Sequence, residues 1–177
     1  MDSFALMPSW IREQITIEGK KLAECDIVCL HPNLAINLYD GSLTYLTHQM
    51  VADRAGIHVD NVKIEHLSFF NMKWNDMRKS PLFDYYSKNE TDMLTRIYQD
   101  KKEHGYKITS KKMFKVEVGV MTDVIRYLNA KGIYVLYVYD ALLCVGKDEN
   151  LVIETMNRII LEHGVKTSVK CDSLGIS

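Results

Sequence analysis

Little in this chain announces a function. Three prolines and nine glycines among 177 residues leave no long linker, internal repeat or low-complexity tract. Neither GxGxxG nor GxxxxGK[ST] occurs, which excludes the usual phosphate-cradling loops and weakens a plain α/β nucleotide-binding reading. No segment reaches ~18 uninterrupted apolar residues, so no membrane partner is expected. Met1–Ser9 lacks a positively charged start and a useful apolar run, so no secretory leader is expected there. Four cysteines, Cys25, Cys29, Cys144 and Cys171, form no CxxC pair, and Cys25-x3-Cys29 would fall inside a strand. They are expected to be small core thiols rather than zinc ligands, in a reduced, cytoplasmic protein. The net charge of −1 gives no global attraction for nucleic acid, so a polyanion site would have to be a local patch.

What is present suits one domain with a real core: 47% hydrophobic and 25% charged residues. "EQITIEG" (Glu13–Gly19) alternates like a strand. "CDIVCLH" (Cys25–His31) reads as a buried strand stopped by Pro32, with a helix beginning behind the proline. "LTHQMVADRAG" reads as a helix closed by Gly56, and Asn61–Trp74 has helical spacing. Helices over about Glu90–His104 and Ser110–Lys131, ended by Gly105 and Gly132, precede a strand–strand–helix–strand series that finishes on "VKTSVKC". The long helix is expected to bury Met113, Val116, Val120, Val124 and Tyr127 on one face. The fold class expected is α+β, a mainly antiparallel sheet covered by helices.

Two acids stand among apolar strand residues: Asp26 in "CDIVCLH" and Asp140 in "YVLYVYDALLCVG". One buried carboxylate can turn a hairpin or pair with a lysine. Two on adjacent strands repel, and one protonates unless a cation lies between them. Mg²⁺ (or Mn²⁺) suits that position, because it is hard, takes oxygen ligands and commonly binds one or two carboxylates plus substrate phosphates.

"GIYVLYVYDALLCVG" resembles the third conserved motif of family A DNA polymerases and single-subunit polymerases of phages and mobile elements, with Tyr139 where that motif usually carries His. "CDIVCLHPNL" resembles the first polymerase motif, and "KIEHLSFFN" the second, in the same chain order. The resemblance covers about residues 10–172. It implies a palm-like domain over 1–177, with residues 45–110 as a reduced, mostly helical fingers-like insertion. It further implies that Asp26 and Asp140 are the catalytic acids and hold two metal ions with the backbone carbonyl of Ile27. Lys63 would meet the triphosphate. His31 would lie under the sugar 2′ position and favour deoxynucleotides. Phe70 would stack on the nascent base pair, and Tyr139 would lie near the primer end. Glu117 is expected to pair with Lys111, Lys115 or another surface cation.

The stretch "KKEHGYKITSKKMFK" adds a candidate nucleic-acid surface: Lys107, Lys111, Lys112 and Lys115, with Lys101 and Lys102, interleaved by Tyr106 and Phe114. The chain holds little beyond a palm, and Val59 stands where the second motif usually carries Arg. Three readings therefore stand: a minimal template-dependent nucleotidyltransferase acting on primer-template and nucleoside triphosphates, oligomeric or in a replication assembly; a fragment of a larger replication protein; or a palm-like module that binds nucleic acid or a partner without chemistry.

Overall fold

The computed structural model describes Pro8, Ile11 and residues 14–173. Apart from Pro8, the leader reading at 1–9 lies outside the described residues, as does Glu13 of the first expected strand. The chain divides into two compact units, one of Met1–Val28, Gly119–His163 and Ser168–Ser177, the other of Cys29–Val118 and Gly164–Thr167.

The first unit is built on an antiparallel sheet of β1 (Thr16–Ile17), β2 (Lys20–Ile27), β3 (Leu136–Val138), β4 (Ala141–Val145) and β5 (Val169–Ser173). The order is β1-β2-β4-β3, with β5 also pairing β2. Two tight hairpins set the register. Ile17 pairs with Lys20 across Glu18 and Gly19, both with positive φ, the twist that favours two-residue turns. Val138 pairs with Ala141 across Tyr139 and Asp140, with Tyr139 left-handed at φ 55°.

Paired residues project to the same face of a sheet, so the register sorts the side chains. On one face Leu22, Val138 and Leu143 are buried together, with Ile15, Ile17, Leu136 and Val145 packed against them. Asp26 and Glu24 share β2's alternation with Leu22 and therefore project to that face. Ala23, Cys25, Ile27, Leu142 and Cys144 occupy the other and are buried. There α8 (Glu149–Glu162) packs on β2, β4 and β5, burying Val152, Met156, Ile159 and Ile160.

Cys25 lies directly opposite Cys171 across β2 and β5, and the two form a disulfide; Cys29 and Cys144 are buried thiols. This corrects the reading of four core thiols. The cause is register between strands 146 residues apart in sequence, which cysteine spacing does not reveal. Alkylating the denatured, unreduced protein is expected to tag Cys29 and Cys144, and reduction to expose the other two. Four tags before reduction would contradict the pairing.

The second unit is helical: α1 (Leu30–Leu38), α2 (His48–Ala55), α3 (Val59–His66), a 3₁₀ turn at Phe69–Asn71, α4 (Trp74–Met77), α5 (Leu82–Asn89), α6 (Thr91–His104) and the start of α7 (Ile108–Ala130). Thr47 caps α2 by accepting from Met50 N, and Gly56 closes it at φ 68°. Buried Asn33 donates to the carbonyls of Cys29 and Leu46 and accepts from Leu46 N, tying the entry of α1 to the loop before α2. The α5 helix was not expected. On α7 the buried positions are Thr109, Met113, Glu117, Val120, Met121, Val124 and Leu128, while Tyr127 is exposed, so the stripe is rotated from the expected one. No described helix is long and apolar enough to cross a membrane.

Candidate active site

Asp26 is the penultimate residue of β2, opposite Ala141 on β4 and Lys170 on β5. Asp140 immediately precedes Ala141, as the second residue of the β3–β4 turn. The two acids, 114 positions apart, are thus brought to the same end of neighbouring strands. Burial and then the negative charge of Asp140 push the Asp26 carboxyl up to about 6; Lys170 opposes this, Glu24 adds to it, and the Ile27 N–H opposes it. The Lys170 ammonium lies 3.9 Å from Asp26 Oδ2 and 3.5 Å from Asp172 Oδ2. Lys170 was missed as a site residue, because which strand flanks β2 is a matter of topology.

The donor set fits a hard divalent cation. Two carboxylates at adjacent strand ends, with one pushed up to about 6 by burial and by the other's charge, form an anionic site that a divalent ion relieves. Ile27 follows one residue on, in the stretch of β2 paired with β5.

Tyr139 sits in the two-residue turn and is 58% exposed, so strand alternation does not set its direction relative to Asp140.

The remaining expected contacts belong to the second unit. His31 lies on α1, and its Nε2 is 3.2 Å from Glu117 Oε2. Glu117 is buried, and its partner is this part-exposed histidine rather than Lys111 or Lys115. Lys63 is an exposed lysine on α3, 3.1 Å from Asp60 Oδ1 one helical turn before it. Phe70 is a core residue: it is 2% exposed, with its ring against Phe69, Tyr86 and His66.

The lysine patch also separates by role. Lys111 and Lys115 are exposed. Lys107 lies 5.8 Å from the ring centre of Tyr106. Lys112 donates to Asp100 Oδ2 at 2.6 Å. Lys101 is buried and donates to three backbone carbonyls, of Phe70, Met72 and Tyr106, so it is a structural cation rather than a phosphate ligand.

No family model matches the chain, and no curated protein matches it in sequence. Among solved structures it is similar to the POL domain of Pol1 from M. smegmatis in complex with DNA primer-template and dNTP, with TM-score 0.59 and 12% identity over 89% of this chain. The match takes in 40% of that structure's chain. The likeness is one of fold: the protein is α+β and polymerase palm-like, a mainly antiparallel sheet with helices.

Proposed function

We propose that this protein is a template-dependent nucleotidyltransferase of the DNA polymerase kind, with Asp26 and Asp140 as its catalytic acids. The observation that carries the reading is the convergence of these two carboxylates beside the β3–β4 turn, close enough for the charge of one to raise the proton affinity of the other. The palm-like fold supports it, and so does the neighbour's complex with primer-template and dNTP.

Asp26, Asp140 and the Ile27 carbonyl would hold two Mg²⁺ or Mn²⁺ ions. When bound, the ions would lower the pKa of a primer 3′-hydroxyl and neutralise charge on the incoming triphosphate. The carboxylates fix where that charge sits, and ionised Asp26 is the form that binds it, so metal uptake is expected to weaken about tenfold per pH unit below 6. His31, held by Glu117, would stand under the sugar and favour deoxynucleotides. Lys63 would leave Asp60 to meet the triphosphate. Residues 45–110 would take the place of fingers, and Lys107, Lys111 and Lys115 would contact template phosphates, with Lys112 released from Asp100. What a palm lacks would be supplied by a second copy, a replication assembly or further residues of a longer protein.

A second reading, a palm-like binder without chemistry, draws on the burial of Phe70 and the Asp60 partner of Lys63. Primer extension separates the two. The full chain with primed template, Mn²⁺ and deoxynucleotides is expected to extend, and Asp26→Ala and Asp140→Ala to lose that activity by about a thousandfold or more, the several kcal/mol that metal-borne charge stabilisation supplies. Tight template binding with no extension would establish the binder instead.

A further inference from the structure

The second unit holds a cluster that the carboxylate site does not use. Cys29 sits in the turn between β2 and α1, His48 opens α2 and His66 closes α3. Cys29 Sγ is 3.5 Å from His48 Nδ1, which is 3.0 Å from His66 Nδ1. All three donor atoms lie within 4.8 Å of one another. Cys29 and His66 are buried, and His48 is half-buried.

We propose that Cys29, His48 and His66 form a tetrahedral site for a borderline-soft divalent cation, Zn²⁺ first, with its fourth position open to water or another small ligand. Tetrahedral Zn²⁺, with Zn–N near 2.0–2.1 Å and Zn–S near 2.3 Å, sets its donors roughly 3.3–3.6 Å apart. The Cys29–His48 separation of 3.5 Å falls in that range and the His48–His66 separation of 3.0 Å lies just below it, so small side-chain rotations complete the geometry. One thiolate and two imidazoles select such a metal over Mg²⁺, which takes oxygen.

Two further features point to a built site. His66 Nε2 is 2.8 Å from the hydroxyl of Tyr86, which is wholly buried. That contact fixes the ring and leaves Nδ1 facing the cluster, the arrangement by which metal-ligating histidines are oriented from behind. Cys29 is held in a left-handed conformation, φ 52°, that non-glycine residues seldom adopt. The Asn33 side chain grips its carbonyl at 2.8 Å. On binding, the Cys29 thiol proton passes to solvent, and the sulfur and the two Nδ1 lone pairs bond the metal. The ion would brace the β2–α1 turn against the start of α2 and the end of α3.

The spacing Cys29-x18-His48-x17-His66 matches no local metal motif, which is why the cysteine pattern pointed away from zinc.

Co²⁺ is the probe. The chelator-stripped full chain is expected to bind one Co²⁺ with a thiolate-to-cobalt charge-transfer band and intense tetrahedral ligand-field bands, both lost on adding Zn²⁺. Cys29→Ser and His48→Gln should weaken binding at least tenfold, and the Cys29→Ser variant should lose the charge-transfer band. The band should persist in Asp26→Asn/Asp140→Asn, which separates this site from the proposed polymerase centre, and in Cys144→Ser. Zn²⁺ should raise the melting temperature of the parent and not of Cys29→Ser; circular dichroism checks that the variant is folded. Octahedral Co²⁺ without the band, or a band that survives Cys29→Ser, would overturn the site.

Discussion

Asp26→Asn is expected to lose primer extension by about a thousandfold and yet, free of metal at pH 8, to melt higher than the parent. Burial and the Asp140 charge hold the Asp26 carboxyl near 6, against 3.8 for a free aspartate. Between those values the folded chain binds more protons than the unfolded one, so its stability falls as pH rises from about 4 to above 6. Asparagine keeps the shape and removes the charge, so the gain should be full at pH 8 and vanish near pH 4. Lys170 loses a partner at 3.9 Å, but a half-exposed pair at that distance is worth little. Saturating Mn²⁺ should reverse the order at pH 8, because the ion stabilises the state in which both acids are ionised. Thermal melts of both proteins at three pH values, with chelator and with Mn²⁺, check this. Equal melting temperatures at pH 8 in chelator would show that Asp26 carries no electrostatic cost.

Lys101→Met is expected to destabilise the protein by about 3–5 kcal/mol, the cost of leaving three carbonyls without their donor at about 1–3 kcal/mol each. The Lys101 ammonium donates to Phe70 O and Met72 O at 2.9 Å and to Tyr106 O at 2.8 Å. Burial pushes it down to about 8, with Asp100 holding it up, so it is charged at neutral pH. It joins the end of the 3₁₀ turn to the turn between α6 and α7. Methionine matches its length and donates nothing, leaving three carbonyls without that donor. For a chain of this size the loss corresponds to a fall in melting temperature of roughly 10 °C. A loss of less than about 1 kcal/mol of unfolding free energy in denaturant titrations would mean that water or a neighbouring group replaces the ammonium.

Both acids could be found in the sequence because each stands out against an apolar strand, and hydrophobic patterning survives into the structure. Helix ends were legible at Gly56, Gly105 and Gly132, which all adopt positive φ. What escaped depends on which strands and helices meet. Cys25 reaches Cys171, and Asp26 reaches Lys170, only through the β2–β5 register. Glu117 finds His31, 86 residues away, rather than the lysines of its own helix, because it lies in the buried stripe of α7. Lys101 read as one cation among six, since no local pattern separates a lysine aimed at three carbonyls from one aimed at solvent. The apolar run continues through Tyr139 and so hides the turn, whereas the chain reverses there on a left-handed residue.

The most direct test is anomalous diffraction from crystals soaked in Mn²⁺. Two peaks about 3.5–4 Å apart, ligated by the carboxylates of Asp26 and Asp140, are the expected result. Carboxylate oxygens more than ~10 Å apart, or ions bound elsewhere and none between these two acids, would contradict a shared two-metal centre.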